Sequence, residues 1–318
     1  MQACAVRPRF PSPFHALNTL TIGSVVKNII CVLESQRQAV ILTVAGRCGM
    51  RSLIYTLGLL LLAVFSVAGQ EAGDLLPHAP IQITGDELFT EENGVVRGSG
   101  TQGDPYVIRN FVINAQEMGY GIEIVGTMSA FRIENCRIVG ATAAGIKLVE
   151  VDTAIVHRCW IEGCYCGVFI EESLGVVISE NTFLDNELRS LSLLESSQCH
   201  LFNSTIVSGQ CGIWLGGKTS KNLIHDNVFD NCGAAGMWIS NLCDWNHIYY
   251  NDFIDCRAIS DSINRWDDEK GIGNYWSRYS GEDKDQDGIG DEPFSIYGST
   301  YEYDYHPALQ PFHWEEAD

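Results

Sequence analysis

Six stretches between Gly121 and Ala258 repeat one pattern at steps of 22 to 24 residues. Each copy opens on a small residue followed by an apolar-x-apolar pair, and closes on a Cys, Ser or Asn followed by x-Ile or x-Phe. A period of this length is typical of a solenoid, in which one unit cannot bury its apolar face alone. The apolar residues alternate as in β-strands, and bends rich in Gly, Asn, Asp and Ser separate the runs. The sequence therefore predicts an all-β fold with one turn of a parallel β-helix per repeat.

Four apolar columns should run through the stacked coils, with equivalent residues about 4.8 Å apart. The first contains Ile122, Ile146, Val168, Leu191, Ile213 and Met237; the second contains Ile124, Leu148, Ile170, Leu193, Leu215 and Ile239. The third contains Ile133, Val156, Ile178, Leu201, Ile224 and Ile248; the fourth contains Ile138, Ile161, Phe183, Ile206, Phe229 and Phe253. A polar slot beside them is predicted to form a structural amide ladder from Asn181, Asn227 and Asn251, with Cys136, Cys159 and Ser204 in the other coils.

The charge is strongly negative, formally −20 for the 318 residues. Residues 1–70 contain six basic residues and one acidic residue, which leaves 14 basic and 39 acidic residues and a charge of −25. Such a surface repels nucleic acid and anionic membranes and attracts cations. A simpler interpretation is an adaptation for solubility or high salt.

An export signal is predicted over residues 50–70. Met50-Arg51 precedes an apolar run from Leu53 to Val67, and Ser66-Val-Ala68 offers small residues for cleavage. We therefore expect an extracytoplasmic protein that meets a membrane only through this segment. Residues 1–49 are an unassigned extension, interpreted as a start-site error; the alternative is a genuine extension with the apolar run as a retained anchor.

Nine cysteines follow the export signal, an odd number that leaves at least one thiol free. Cys136 with Cys159, and Cys232 with Cys256, occupy equivalent positions of adjacent coils, a spacing that a disulfide tolerates. Buried free thiols are an equal alternative, and a soft-metal site is a third.

The coils are assigned to residues 115–260, between an N-terminal cap at 71–114 and a C-terminal cap at 261–318, because a solenoid's open ends need covering. The second cap contains a calcium-type loop with carboxylates at its first, third and fifth positions, followed by Gly288. Its twelfth position is Phe294, so the Glu of an EF-hand is missing. The alternative is an acidic surface turn without an ion. The predicted calcium ligands are Asp283, Asp285, Asp287, Ile289 and Asp291.

Specific end motifs accompany the coils. Asn93-Gly-Val, Gly98-Ser-Gly-Thr and Asp104-Pro-Tyr-Val-Ile precede them; Gly273-Asn-Tyr-Trp-Ser-Arg-Tyr, the calcium-type loop and Asp304-Tyr-His-Pro follow. With the repeats, these motifs resemble NosD-like proteins over about residues 78 to 312. The resemblance implies an exported, right-handed parallel β-helix, and a role in the maturation of a copper site. It supplies no copper motif that can be assigned to residues of this chain, so fold transfers better than function.

Three aromatic residues, Phe169, Trp214 and Trp238, are predicted to project from one outer face, where exposed rings are unusual. Rings along a groove suit stacking on sugars; the alternative is that another segment covers them. Glu171 and Glu195 lie further along adjacent coils and are the candidate catalytic carboxylates of a polysaccharide lyase, epimerase or hydrolase.

Histidines offer a different site. His200, His225 and His247 fall on the outer side of the second strand in three successive coils, and imidazoles on adjacent coils can share copper or zinc. Scattered surface histidines are the alternative.

Three functions follow from these observations. The first is non-catalytic binding of a polysaccharide or another cell-envelope component, and we expect no nucleic acid partner. The second is catalysis in the same groove, although scarce basic residues favour a protein that is not an enzyme. The third is a copper-delivery accessory protein. The cofactors implied are calcium, from the loop, and copper, from the resemblance alone.

Overall fold

The computed structural model describes residues 75–298 and 301–313, and short strands dominate the first range. The predicted extension and export signal lie outside the described residues. The first nine strands are β1 (Leu76–His78), β2 (Ile81–Thr84), β3 (Val95–Arg97), β4 (Tyr106–Arg109), β5 (Phe111–Asn114), β6 (Tyr120–Thr127), β7 (Phe131–Glu134), β8 (Arg137–Val139) and β9 (Ala144–Val151). The next nine are β10 (Ile155–His157), β11 (Trp160–Glu162), β12 (Cys166–Glu171), β13 (Val177–Ser179), β14 (Thr182–Leu184), β15 (Arg189–Leu194), β16 (His200–Phe202), β17 (Thr205–Val207) and β18 (Cys211–Gly216). The last nine are β19 (Leu223–His225), β20 (Val228–Asp230), β21 (Ala235–Ile239), β22 (His247–Tyr249), β23 (Asp252–Ile254), β24 (Ala258–Ser260), β25 (Tyr275–Trp276), β26 (Phe294–Ser295) and β27 (Tyr303–Asp304).

Successive strands of one coil belong to three different sheets, which is the arrangement of a parallel β-solenoid. Sheet 1 has the order β1-β5-β8-β11-β14-β17-β20-β23-β25. Sheet 2 has the order β2-β6-β9-β12-β15-β18-β21-β24, and sheet 3 has the order β22-β19-β16-β13-β10-β7-β4-β3. Within these sheets only the β3–β4 pair is antiparallel among the described strands. The prediction of an all-β parallel solenoid is confirmed. One short 3-10 helix, Asp86–Leu88, interrupts the strands.

All four predicted columns form and are buried. In sheet 2, Ile146 pairs with Val168 and Val168 with Leu191, and the same register continues through β18 to β21. In sheet 1, Phe229 pairs with Phe253, and their rings stack with centroids 4.7 Å apart. No member of the four columns exceeds 4% exposure. The core therefore follows from the repeat, because each coil adds one residue to each column.

The predicted polar slot is a hydrogen-bonded ladder. Asn227 Oδ1 accepts from Ser204 N at 3.0 Å, and Asn227 N donates to Asn251 Oδ1 at 3.1 Å. The ladder continues beyond the repeats to Asn274 and ends on Asp304, whose Oδ2 accepts from Asn274 N at 2.8 Å. These amides satisfy backbone groups that the bends would otherwise bury unpaired.

The strands at the two ends join the same sheets. β1 and β2 pair in parallel with β5 and β6, and β25 continues sheet 1 after β23. The hairpin of β26 and β27 stands apart as an antiparallel pair. All nine cysteines in the described ranges are buried free thiols. Within those ranges, no helix has the length and apolar character needed to cross a membrane.

Candidate functional site

The outer face of sheet 3 collects histidines and aromatic rings. Each short strand turns its middle residue inward and its first and third residues outward, as the burial of β16, β19 and β22 shows. His200, Leu223 and His247 form one outward row. Phe202, His225 and Tyr249 form the other, so His200 and His225 are diagonal neighbours on adjacent strands.

The two diagonal histidines meet through their ring nitrogens. His200 Nε2 lies 2.5 Å from His225 Nε2. On its other side, His225 Nδ1 lies 2.5 Å from Asp226 Oδ2. A carboxylate on Nδ1 holds the proton there, and the Nε2 lone pair of a neutral His225 then faces His200.

Backbone geometry places this carboxylate. Asp226 has a φ of 53° and turns the chain out of β19 towards β20. Equivalent corners in neighbouring coils also have positive φ, as at Asn203 and Glu180. The corner therefore follows from the coil geometry, and Asp tolerates this conformation better than most residues.

Aromatic side chains enclose the histidine pair. The rings of Phe202 and Tyr249 stack on His225, with centroid distances of 5.6 and 4.9 Å. Burial and, to a smaller extent, the neighbouring His225 lower the pKa of His200, which favours its neutral form. Neutral imidazole is the form that binds a metal ion.

The third predicted histidine points to a different partner. His247 Nε2 contacts the backbone carbonyl of Asp267. His157, further along the same face, has Nδ1 3.0 Å from Ser179 Oγ. The structure thus brings together His200 and His225, and not His247.

The predicted aromatic row lies on the outer face of sheet 2. Phe169 pairs with Ser192, Ser192 with Trp214, and Trp214 with Trp238. Trp238 is 41% exposed, whereas Phe169 and Trp214 are half-buried.

Trp214 is covered by an arginine. The guanidinium carbon of Arg189 lies 4.0 Å from the centroid of the Trp214 ring. The indole reaches over Gly216, where a Cβ would lie 2.1 Å from a ring carbon, so only glycine leaves room for it. The Trp214 ring therefore contacts Arg189 and lies over Gly216, and Trp238 is the next residue in the row.

The candidate carboxylates lie at the ends of strands on this side. Glu171 is the last residue of β12 and pairs with Leu194. Glu195 follows β15, is exposed, and has a φ of 50°.

Three of the five predicted calcium ligands come together. Carboxylate oxygens of Asp283, Asp285 and Asp287 lie within 4.8 Å of one another. Asp291 instead accepts a hydrogen bond from Lys284 N at 2.7 Å. Asp283 accepts from the backbone N–H groups of Asp287 and Gly288, which closes the loop.

Two residues of these sites were not singled out from the sequence. Asp226 directly follows His225, and this adjacency was the available signal. Arg189 immediately precedes the small residue that opens its coil, and no pattern indicated that it would cover Trp214.

A family model described as periplasmic copper-binding protein (NosD) matches residues 80–281 of the chain. The matched range includes the histidine pair and the aromatic row, and it ends just before Asp283. A search of curated proteins finds no match to the chain.

Proposed function

This chain belongs to the NosD family of periplasmic copper-binding proteins, and from that membership we propose that it binds copper through His200 and His225. The observation that carries the proposal is the 2.5 Å approach of the two Nε2 atoms. Two imidazole nitrogens at this distance share one proton, and their side chains would move apart to about 2.9 Å or more for both to bind one metal ion at metal–nitrogen distances of about 2.0 Å.

The donor set fits copper. Imidazole suits copper and zinc, and affinity among divalent first-row metals is highest for Cu²⁺. Asp226 acts behind His225, where a carboxylate on the second ring nitrogen orients the imidazole and raises its basicity as a ligand. Two protein ligands leave coordination positions open, which suits an accessory protein that passes copper to another site.

Copper binding is tested on full-length exported protein purified without an affinity tag. We expect about one copper per chain by elemental analysis, as one site requires. His200→Ala and His225→Ala should each abolish it, and Asp226→Ala should weaken it about 10- to 100-fold. His157→Ala, a histidine on the same face, is the matched control and should bind like the parent. Copper retained by the double variant His200→Ala/His225→Ala would contradict the proposal.

A second function, binding of carbohydrate or a cell-surface polymer, is favoured by the exposure of Trp238 beside Trp214. A flat, exposed indole on a regular sheet can stack on the apolar face of a sugar ring. Trp238→Ala should remove binding on a glycan array. Trp245→Ala is the matched control, because Trp245 is 72% exposed and lies outside the row. An array on which the parent protein binds no glycan would contradict this second function.

Catalysis by Glu171 and Glu195 is a weaker alternative in the same groove. It predicts shorter products from a uronate polymer incubated with the protein, and the loss of these products in Glu171→Gln.

Calcium in the loop of Asp283, Asp285 and Asp287 is proposed as a structural ion, supported by the approach of their carboxylates.

A further inference from the structure

Basic side chains on the outer face of sheet 2 lie over aromatic rings. In the described part of the chain, all three cation–π contacts occur on this face. They join Lys147 to Tyr120, Arg189 to Trp214, and Arg257 to Tyr297, which bridges to β24. The aromatic row therefore has cations at intervals along the coils, although the chain as a whole is acidic.

The three cations differ in their polar partners. Lys147 is neutralised by Glu123 at 2.9 Å, and Arg257 donates from Nε to the Ala234 carbonyl at 2.8 Å, whereas Arg189 forms no ion pair with any described residue. It is half-buried and close enough to the thiols of Cys166 and Cys211 to lower their pKa against the larger effect of burial. A guanidinium that has lost part of its hydration gains strongly from a carboxylate placed in its plane.

Stacking fixes where this guanidinium sits. Contact with the Trp214 ring positions the guanidinium, and its N–H groups form no ion pair with any described residue and remain able to donate. Trp238 is the next residue in the row after Trp214, so Trp214 lies between the coil that carries Arg189 and the exposed ring of Trp238.

We propose that Arg189 and Trp238 together form a site for an acidic oligosaccharide, with one pyranose ring on Trp238 and a carboxylate of the same oligosaccharide on Arg189. This inference rests on the carbohydrate binding proposed above and adds the charge of the ligand. The net charge of −25 after residue 70 acts against any polyanion, but at physiological salt it is screened beyond about 8 Å. The local pairing with Arg189 therefore determines whether an acidic sugar binds more tightly than a neutral one.

The test compares two oligosaccharides with one backbone: oligogalacturonate, and the same oligomer with its carboxyl groups reduced to alcohols. Titration calorimetry at one fixed salt concentration should show the acidic form binding about tenfold more tightly, as one charge-assisted bidentate contact supplies. Arg189→Gln should lose this preference and keep the affinity for the reduced form. Arg189→Lys should show a preference for the acidic form between those of the parent and Arg189→Gln, because lysine keeps the charge but lacks the planar guanidinium. Trp238→Ala should bind neither the acidic nor the reduced oligomer.

The outcomes separate the two levels of the proposal. Equal affinity of the parent for both oligomers overturns the acidic-sugar site and leaves carbohydrate binding intact. If the parent protein binds neither oligomer, both the acidic-sugar site and carbohydrate binding are overturned. A preference that survives Arg189→Gln, with folding verified by circular dichroism, overturns the role of Arg189.

Discussion

Asp230 is a buried carboxyl group in the described coils whose surroundings disfavour its charged form. It is 4% exposed, its Oδ2 has no hydrogen-bond partner, and burial together with Asp255 raises its pKa to about 6. Because the folded state binds this proton more tightly than the unfolded state, stability falls as pH rises from about 4 to 6 and stays lower above that. Asp230→Asn should therefore increase the free energy of unfolding at pH 7 by about 1 to 2 kcal/mol. Denaturant titrations of both proteins at pH 4 and pH 7 measure this gain, which should vanish at pH 4.

Asp268 supplies the matched control, since its pKa moves in the opposite direction. Hydrogen bonds from Tyr250 and from backbone N–H groups outweigh burial and lower its pKa to about 2. Its contribution is present above pH 4 and lost as the pH falls towards 2. Asp268→Asn should thus destabilise the protein at pH 7. A stabilised Asp268→Asn, or the same gain for Asp230→Asn at both pH values, would contradict this account.

Some side-chain positions could be predicted from the sequence, and others could not. The outward positions of Phe169, Trp214 and Trp238 follow from the two-residue period of a strand and were predicted. The layer of Arg189 over Trp214 depends on side-chain rotamers, which the period does not contain. The orientation of His247 depends on the carbonyl of Asp267, which belongs to a segment without the repeat.

Among the structural elements, the amide ladder most clearly links one coil to the next. The Nδ2 group of Asn227 donates to the Leu201 carbonyl and to Asn251 Oδ1, while its Oδ1 accepts from Ser204 N. Asn227→Ala leaves Ser204 N without this acceptor and removes both Nδ2 hydrogen bonds, although residue 227 N can still donate to Asn251 Oδ1, and it should cost about 1 to 3 kcal/mol of unfolding free energy. Equilibrium denaturation measures the loss.

Asn227→Ser is the matched variant. Serine already occupies this slot one coil earlier, where Ser204 Oγ accepts from Asn181 N at 3.2 Å. The serine variant keeps an acceptor for Ser204 N and should lose less stability than the alanine variant. Equal losses would show that cavity formation, and not hydrogen bonding, sets the cost.

The ladder was predictable only within the repeats. Asn181, Asn227 and Asn251 share one position of the period, and their pairing followed from it. Asn274 and Asp304 complete the ladder from a region where the period is lost, so no pattern indicated them. Asp304 also accepts from Trp276 Nε1 at 2.9 Å, which joins the last amide to the buried aromatic rings.

For the whole molecule, the fold and the function rest on different information. Stacking requires only that each coil present similar residues at similar positions, and the sequence contains that periodicity in full. The proposed copper and sugar sites would each use side chains that break the repeat, such as His225 and Arg189. Periodicity therefore predicted the scaffold, whereas the sites required the contacts between coils to be seen.

The acidity of the whole chain leads to a prediction about calcium. Carboxylates of Asp283, Asp285 and Asp287 repel one another within 4.8 Å, and a bound cation would remove that cost in the folded state alone. We expect millimolar calcium to raise the melting temperature, a chelator to reverse the rise, and Asp283→Asn/Asp287→Asn to abolish it. Glu172→Gln, which removes an exposed carboxylate from a coil, should keep the full response. Differential scanning calorimetry gives the readout. An equal rise in the double variant would mean that calcium screens the acidic surface generally and that the loop binds no specific ion.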